Sequence, residues 1–167
     1  AARQLLQKLG ATDGDGRLNA QGRKMAALGS EPRFAAMLIA AGSDADAVAT
    51  AAQLVAMLED PQRGSPDLRD SFQRRLPQWQ RRARQLQQRL KVSGGTLDED
   101  RLPALLAVAF PDRIARRRGA EGRYQLANGS GAALDREEAL TRYEWLIAPQ
   151  LLQLSLIHIS EPTRQEA

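Results

Sequence analysis

The chain has 167 residues, 43% of them hydrophobic and 26% charged, and its 24 basic and 20 acidic side chains give a formal net charge of +4. This composition is typical of one or two small globular domains, and the longest apolar stretch, 102–110, is far shorter than the roughly 20 residues of a membrane helix. Cysteine is absent, which excludes disulfide scaffolds, thiolate zinc sites and cysteine nucleophiles.

The first part of the chain has the pattern of short helices packed through alanine. An apolar face that begins at Leu5 is predicted to stop at Gly10, because glycine adopts the left-handed C-terminal conformation at little cost. The sequence Asp-Gly-Asp-Gly at 13–16 predicts a tight turn in a small hairpin or wing. Asn19 is predicted to cap the next helix, over 20–28.

Two further helix starts are predicted before residue 60. Pro32 is suited to the first turn of one helix, since it has no backbone N–H to leave unsatisfied. Ser43 followed by Asp46 approximates a capping box for the other. Thr96 with Glu99 predicts a later helix in the same way, and Pro111 is expected to close it.

A long amphipathic helix is predicted over 72–90. Its apolar seam recurs at intervals of four and three residues and consists of Phe72, Leu76, Trp79, Ala83, Leu86 and Leu90. Pro77 lies inside this seam and should kink the helix or split it in two. The opposite face is rich in arginine, namely Arg74, Arg75, Arg81, Arg82, Arg84 and Arg89. That face is either a solvated surface of a bundle helix or a docking surface.

The pattern changes after Phe110. The arginine-rich stretch that starts at Ile114 is the first of three short strand candidates, and the others are 123–126 and 144–147. Glycine turns at 119–122 and 128–131 interrupt them, which predicts a small β-sheet or partial barrel. These patterns predict a mainly α chain, with small packed helices followed by a small β portion.

Several kinds of chemistry have no support in the sequence. None of the three lysines follows a glycine, so the chain has no G-x-x-x-x-G-K-[ST] phosphate loop. The carboxylates at 98–100 are expected to stabilise a helix N-terminus, and the turn at 13–16 lacks the later ligands of a calcium loop. We expect no catalytic residue, metal site or cofactor in this chain.

The sequence feature that indicates a function is a run of arginines beside predicted strands and glycine turns. The predicted nucleic-acid-binding residues are Arg113, Arg116, Arg117, Arg118, Arg123 and Tyr124. Arginines can bind phosphates and a tyrosine can stack a base, although an ordinary exposed charge run would have the same pattern. Strand alternation predicts that Arg116 and Arg118 share one face and that Arg113 and Arg117 lie on the other, so two or three true contacts are expected.

Four segments, 9–18, 22–28, 32–38 and 109–132, resemble the C-terminal half of bacterial HrpB-type DEAH-box ATP-dependent helicases. The resemblance implies the end of a winged-helix domain at 1–28, a helicase-associated helical bundle at 29–110 and a partial OB-like domain at 111–153. The fold class that it implies is mainly α, a helical bundle with a winged-helix remnant and a small, truncated OB-like β portion. It also implies single-stranded RNA as a partner and a cytoplasmic location. RecA-like domains elsewhere in the parent chain would bind ATP and magnesium. Ser130 lies in the glycine turn at 128–131, at a position where the resemblance predicts an arginine.

Residues 154–164 resemble a translated sequencing adapter, so 154–167 is predicted to be a non-native tail without packing partners. His158, the single histidine of the chain, would then have no biological role.

Two hypotheses of different classes remain at this point. The first is an accessory RNA-binding region of a helicase, inactive as an enzyme by itself. The second is a helical protein-interaction module whose arginine-rich helix docks an acidic partner.

Overall fold

The computed structural model describes residues 2–119, 122–127, 129–133, 139–150 and 155–158. Seven α-helices occur in these ranges: α1 (Ala2–Lys8), α2 (Ala20–Leu28), α3 (Pro32–Ala40), α4 (Ala45–Glu59), α5 (Leu68–Arg74), α6 (Pro77–Leu90) and α7 (Leu102–Ala109). Five strands follow: β1 (Ile114–Arg117), β2 (Arg123–Leu126), β3 (Gly131–Ala133), β4 (Trp145–Gln150) and β5 (Ser155–His158). Short 3-10 turns lie at Glu99–Arg101, Pro111–Arg113 and Ala139–Arg142. The predicted fold class, mainly α with a small β portion, is confirmed.

The N-terminal elements follow the sequence pattern closely. Gly10 adopts a left-handed φ of 76° after α1, and Thr12 pairs with Leu18 across the predicted turn. The Asn19 side chain accepts a hydrogen bond from the Gly22 N–H as the cap of α2. A Cβ at Gly22 would lie 2.1 Å from the Ala11 carbonyl oxygen, so a side chain there would separate α2 from the hairpin.

Helix α4 forms the centre of the bundle. Every residue from Ala47 to Leu58 is buried, and α3, α6 and α7 pack around this helix. Its many alanines allow close approach of the neighbouring helices. The seam of α5 and α6 lies against the same core, and the Trp79 indole N–H donates to the Asp60 carbonyl oxygen at 2.9 Å.

The long predicted helix is split rather than kinked. Helix α5 ends at Arg74, Arg75 takes a left-handed φ of 50°, and Pro77 occupies the first turn of α6. Leu76 is extended, with ψ of 142°, because the residue before a proline is disfavoured in the helical region. The proline therefore ends one helix and starts the next.

Two predicted helix caps are wrong by one or two residues. Asp44, not Ser43, caps α4, since its carboxylate accepts from two N–H groups of the first turn. The carboxylate of Asp46 instead accepts from the Thr96 N–H at 2.8 Å. Thr96 is thereby tied to α4, and Asp98 caps the 3-10 turn before α7.

The sheet is antiparallel throughout, with strand order β3-β2-β1-β4-β5. Its inner face has a small core of its own, made of Ala115, Tyr124, Leu126, Leu140, Leu146 and Ala148. The opposite face lies outside this small core, and we call it the outer face. Its residues Ile114, Ile147 and Ile157 are paired across neighbouring strands and pack into the core of the bundle. The outer face therefore joins the sheet to the helices.

The expectation that the tail lacks packing partners is wrong for 155–158. These residues form β5, which pairs with β4, and Ile157 is fully buried in the main core. An apolar residue that meets an open strand edge above a core can be buried there whatever the origin of its segment. Residues 151–154 and 159–167 lie outside the described residues.

An ion pair also fixes the junction between bundle and sheet. The Arg33 guanidinium on α3 donates to both carboxylate oxygens of Asp112, at 2.7 and 2.9 Å, and to the Ala109 carbonyl oxygen at 3.0 Å. It also lies 4.9 Å from the centroid of the Phe110 ring. The chain leaving α7 is thereby held against α3 just before β1 begins.

Candidate nucleic-acid interface

The strand register decides which arginines share a face. Arg116 on β1 is opposite Gln125 on β2 and Trp145 on β4, whereas Arg117 is opposite Tyr124. Residues opposite each other in neighbouring strands project from the same face of the sheet. Arg116, Gln125 and Trp145 therefore form a row across the outer face.

This row lines a shallow groove on the outer face, about 360 Å³ in volume. Its lining residues are Ile114, Arg116, Arg118, Gln125, Leu126, Ala127, Gly129 and Trp145. Both ionisable side chains in this lining are arginines, and Trp145 is half-buried. We refer to this feature as the sheet groove. Its combination of cations, an amide and an aromatic ring is suited to phosphates and bases.

Arg116 is the best-defined cation of the sheet groove. Its guanidinium lies 5.3 Å from the centroid of the Trp145 ring and 3.1 Å from a carboxylate oxygen of Glu144. The side chains of Arg116 and Glu144 are 48% and 50% exposed. Ion pairs this exposed contribute only about 0–1 kcal/mol, so an incoming phosphate can replace the Glu144 carboxylate at small cost.

Arg118 extends the positive charge beyond the end of β1. Its backbone N–H donates to the Arg123 carbonyl oxygen at 2.8 Å, which continues the pairing of the two strands. Both side chains are exposed, and that of Arg118 lines the sheet groove. The prediction that Arg116 and Arg118 share a face agrees with this geometry.

The other predicted arginines are placed differently. Arg113 is held structurally, since its guanidinium donates to the Pro149 carbonyl oxygen at 3.2 Å and lies near Asp112. Arg117 is exposed but belongs to the side of Tyr124. Arg123 is exposed on β2 and does not line the sheet groove.

The suggestion that Tyr124 offers a stacking surface does not fit its position. Only 4% of the residue is exposed, and its hydroxyl donates to the Tyr143 carbonyl oxygen inside the small core. Burial raises the pKa of this hydroxyl, while nearby Arg117 acts in the opposite direction. Tyr124 lies on the inner face because strand alternation sends it away from Arg123 and Gln125.

Trp145 is the aromatic residue that lies in the sheet groove, and the sequence reasoning assigned it no role beyond a strand. Its opposition to Arg116 depends on the pairing of β1 with β4, two strands separated by almost thirty residues of sequence. A strand pattern alone does not specify this register. The sequence marked Trp145 only as part of the strand candidate 144–147, next to the acidic Glu144.

The described residues include neither a membrane-spanning helix nor a metal-binding cluster. None of the helices there is long and apolar enough to cross a membrane. Within the same ranges, no three His, Asp or Glu side chains are grouped in a way that could hold a metal ion.

The chain is similar to known helicase sequences and structures. The family model for the winged-helix helicase associated domain (HA2) matches residues 2–29. The ATP-dependent RNA helicase HrpB of Escherichia coli K12 is 60% identical over 154 residues, which are 92% of this chain and 19% of that protein. A crystal structure of the E. coli DExH-box NTPase HrpB superimposes with a TM-score of 0.90 at 54% identity and covers 95% of this chain. A second HrpB structure, described as a DEAH/RHA helicase, gives a TM-score of 0.88 at the same identity.

The match is nearly complete from the side of this chain and partial from the side of the relatives. The chain spans about a fifth of the length of the HrpB proteins it matches. Over most of its length the chain is therefore similar to one segment of an HrpB helicase, a segment that includes a winged-helix HA2 match at 2–29. The predicted resemblance to HrpB-type helicases is confirmed.

Proposed function

We propose that this chain, which matches HrpB over most of its length, acts as an accessory RNA-binding region of an ATP-dependent RNA helicase. The sheet groove is the observation that supports a binding role. It places Arg116, Arg118 and Gln125 beside the half-buried ring of Trp145. The parent helicase would drive the strand, and this region would help to hold it.

The chemistry of the sheet groove suits a single strand with little base preference. Arginine side chains neutralise phosphates without reading sequence. A base can stack on an aromatic ring or on the plane of a guanidinium, and both groups lie together in the sheet groove as the Arg116–Trp145 pair. A duplex cannot use such a platform, since its bases are already stacked on each other.

Fluorescence anisotropy with labelled polyuridylate tests this function. Each phosphate neutralised on a single strand contributes about −0.7 to the slope of log affinity against log salt. Replacing Arg116 and Arg118 together by Ala should flatten the slope by roughly 1.4. Trp145→Ala should weaken binding by about 1–3 kcal/mol, the usual contribution of one stacked base, with the salt slope unchanged.

Arg117→Ala is the matched control, because Arg117 lies on the same strand as Arg116 but on the side of Tyr124. It should leave the affinity for polyuridylate unchanged. The proposed function fails if the unmodified chain does not bind polyuridylate at low salt. The assignment of the sheet groove fails if the double variant binds as the parent chain does.

The remaining roles belong to the parent protein. By its resemblance, ATP and magnesium would be bound by RecA-like domains that the sequence of this chain does not contain, and those domains would be its intramolecular partners. A cytoplasmic location is likewise an expectation from the resemblance. Arg113 and Arg123 stay as predicted contacts that the same titration can test by single replacement with Ala.

A further inference from the structure

The exposed surface of α6 has basic and neutral polar side chains and no acidic ones. Arg81, Arg84 and Gln88 recur at intervals of three and four residues, so they lie along one side of the helix. Lys91, the residue that ends α6, borders the same hollow as Arg84 and Gln88. All four are exposed. We refer to these four residues as the α6 stripe. A hollow of about 410 Å³ at its end is lined by Arg84, Gln88 and Lys91 together with Gln87 and the loop residues 92–94.

The charge of the α6 stripe is not balanced on its own helix. Residues 77–90 include four arginines and no Asp or Glu. Arg82 is paired with Glu59 at 2.8 Å, and the Arg89 guanidinium donates to the Leu28 carbonyl oxygen. In the part of the chain that the structure describes, no carboxylate forms an ion pair with the cations of the α6 stripe.

Such an arrangement opposes folding slightly. Like charges three residues apart on a helix destabilise it by a few tenths of a kcal/mol. Helix α6 tolerates this repulsion because its other side buries Trp79, Ala83 and Leu86 against α4. An external polyanion would remove the repulsion and neutralise the stripe.

The side chains of the stripe favour nucleic acid over an acidic protein. Protein interfaces depend on buried aromatic or apolar anchors at their centre. The exposed positions of α6 after Pro77 are all Arg or Gln, and its tryptophan is buried. Arginine, lysine and glutamine are, by contrast, common donors to phosphate and sugar oxygens.

The shape of the stripe favours a double helix over a single strand. The ten helical residues from Arg81 to Leu90 extend about 15 Å in a straight line, and Lys91 follows them directly. The stripe has no exposed aromatic residue on which a base could stack, and stacking is what most single-strand sites rely on. A duplex, in contrast, presents its phosphates on a stiff and regular surface.

We propose that the α6 stripe binds the phosphate backbone of double-helical RNA, separately from the sheet groove. This proposal is based on the proximity of Arg81, Arg84 and Lys91 at the exposed surface of a helix that has no Asp or Glu. The chain would then have two contacts of different kinds, one for paired RNA and one for a single strand. The duplex contact does not depend on the groove assignment.

The test compares an 18-base-pair RNA duplex with an 18-residue polyuridylate by fluorescence anisotropy over a range of salt concentrations. The triple variant Arg81→Gln, Arg84→Gln and Lys91→Gln removes three charges and retains good helix formers. Duplex affinity should fall at least tenfold at low salt, and the duplex salt slope should flatten by about 0.9 for each lost contact, or roughly two to three in total. Polyuridylate binding should change less than twofold.

Two controls make the result specific. The variant Arg3→Gln, Lys8→Gln and Lys24→Gln removes the same charge from exposed positions of the N-terminal elements and should retain duplex binding. The Arg116→Ala and Arg118→Ala pair should show the reverse pattern, with weak polyuridylate binding and normal duplex binding. Circular dichroism melting of each variant establishes that it is folded at the assay temperature.

The outcomes separate this proposal from the function of the groove. Normal duplex binding by a folded α6 variant overturns the proposal, and so does an equal loss of duplex and polyuridylate affinity. An equal loss in the N-terminal charge control also overturns it, since net charge would then explain the effect. Failure of polyuridylate binding with intact duplex binding contradicts the groove alone.

Discussion

The pair formed by Arg33 and Asp112 should stabilise the whole chain, because it joins α3 to the segment between α7 and β1. We consider the substitution Asp112→Asn, which keeps the shape of the side chain and removes its charge. The two side chains are 18% and 17% exposed, so the pair is mostly but not fully buried. The Arg33 guanidinium would keep its bond to the Ala109 carbonyl oxygen and its position over Phe110.

The size of the effect lies between two limits. Removing one partner of a fully buried pair costs about 3–5 kcal/mol, whereas an exposed pair contributes about 0–1 kcal/mol. With four-fifths of each side chain buried and the other Arg33 contacts retained, we expect a loss of about 2 kcal/mol in the free energy of unfolding. For a chain of this size, that loss corresponds to a fall in Tm of roughly 4–8 °C.

The effect should depend on pH in a defined direction. The Arg33 guanidinium holds the pKa of the Asp112 carboxyl below its ordinary value, although burial acts against this shift. A carboxyl whose pKa is lower in the folded state stabilises the fold above its unfolded pKa of about 3.9 and loses that stabilisation as the pH falls through the folded pKa. The difference between the parent chain and Asp112→Asn should therefore be full at pH 7 and shrink below about pH 4.

Urea unfolding followed by circular dichroism at pH 7 and pH 3 measures both quantities. Arg33→Met and the double variant complete a double-mutant cycle, in which the coupling at pH 7 should exceed about 1 kcal/mol. A loss below about 0.5 kcal/mol, or an equal loss at the two pH values, would refute the assignment of this pair as the junction between bundle and sheet.

Three further outcomes are expected. The purified chain should show neither ATP-dependent thermal stabilisation nor phosphate release above a buffer control, because it lacks a glycine cradle for phosphates and an acidic metal box; either signal would contradict this. Deleting residues 154–167 should lower Tm, since β5 pairs with β4 and Ile157 is buried, and Ile157→Ala alone should cost about 2–4 kcal/mol. An unchanged Tm for the deletion would restore the expectation of an unpacked tail. Gly95→Ala should destabilise by more than about 2 kcal/mol, because φ is +88° and a Cβ would lie 2.2 Å from the Ala45 carbonyl oxygen; Gly94→Ala has a similar φ and no such contact, so thermal melting of the two should show a smaller loss for Gly94.

Local chemistry was readable from the sequence. The turn at 13–16, the cap at Asn19 and the break at Pro77 depend on residues near each other in the chain, and each is found as predicted. The seam of α5 and α6 is also correct, because helical periodicity directly specifies the buried side. The resemblance to HrpB-type helicases was carried by contiguous segments, which need no tertiary information.

Long-range pairing decided the rest. The stacking residue of the sheet groove is Trp145 rather than Tyr124, since only the register between β1 and β4 brings Trp145 beside Arg116. The tail acquires a packing partner because the edge of β4 and the core beneath it meet Ile157. The sequence alone determined which residues favour helix, turn or strand and where charge accumulates. Contacts between segments far apart in the chain decide which arginines share a surface with an aromatic ring. No local propensity encodes those contacts.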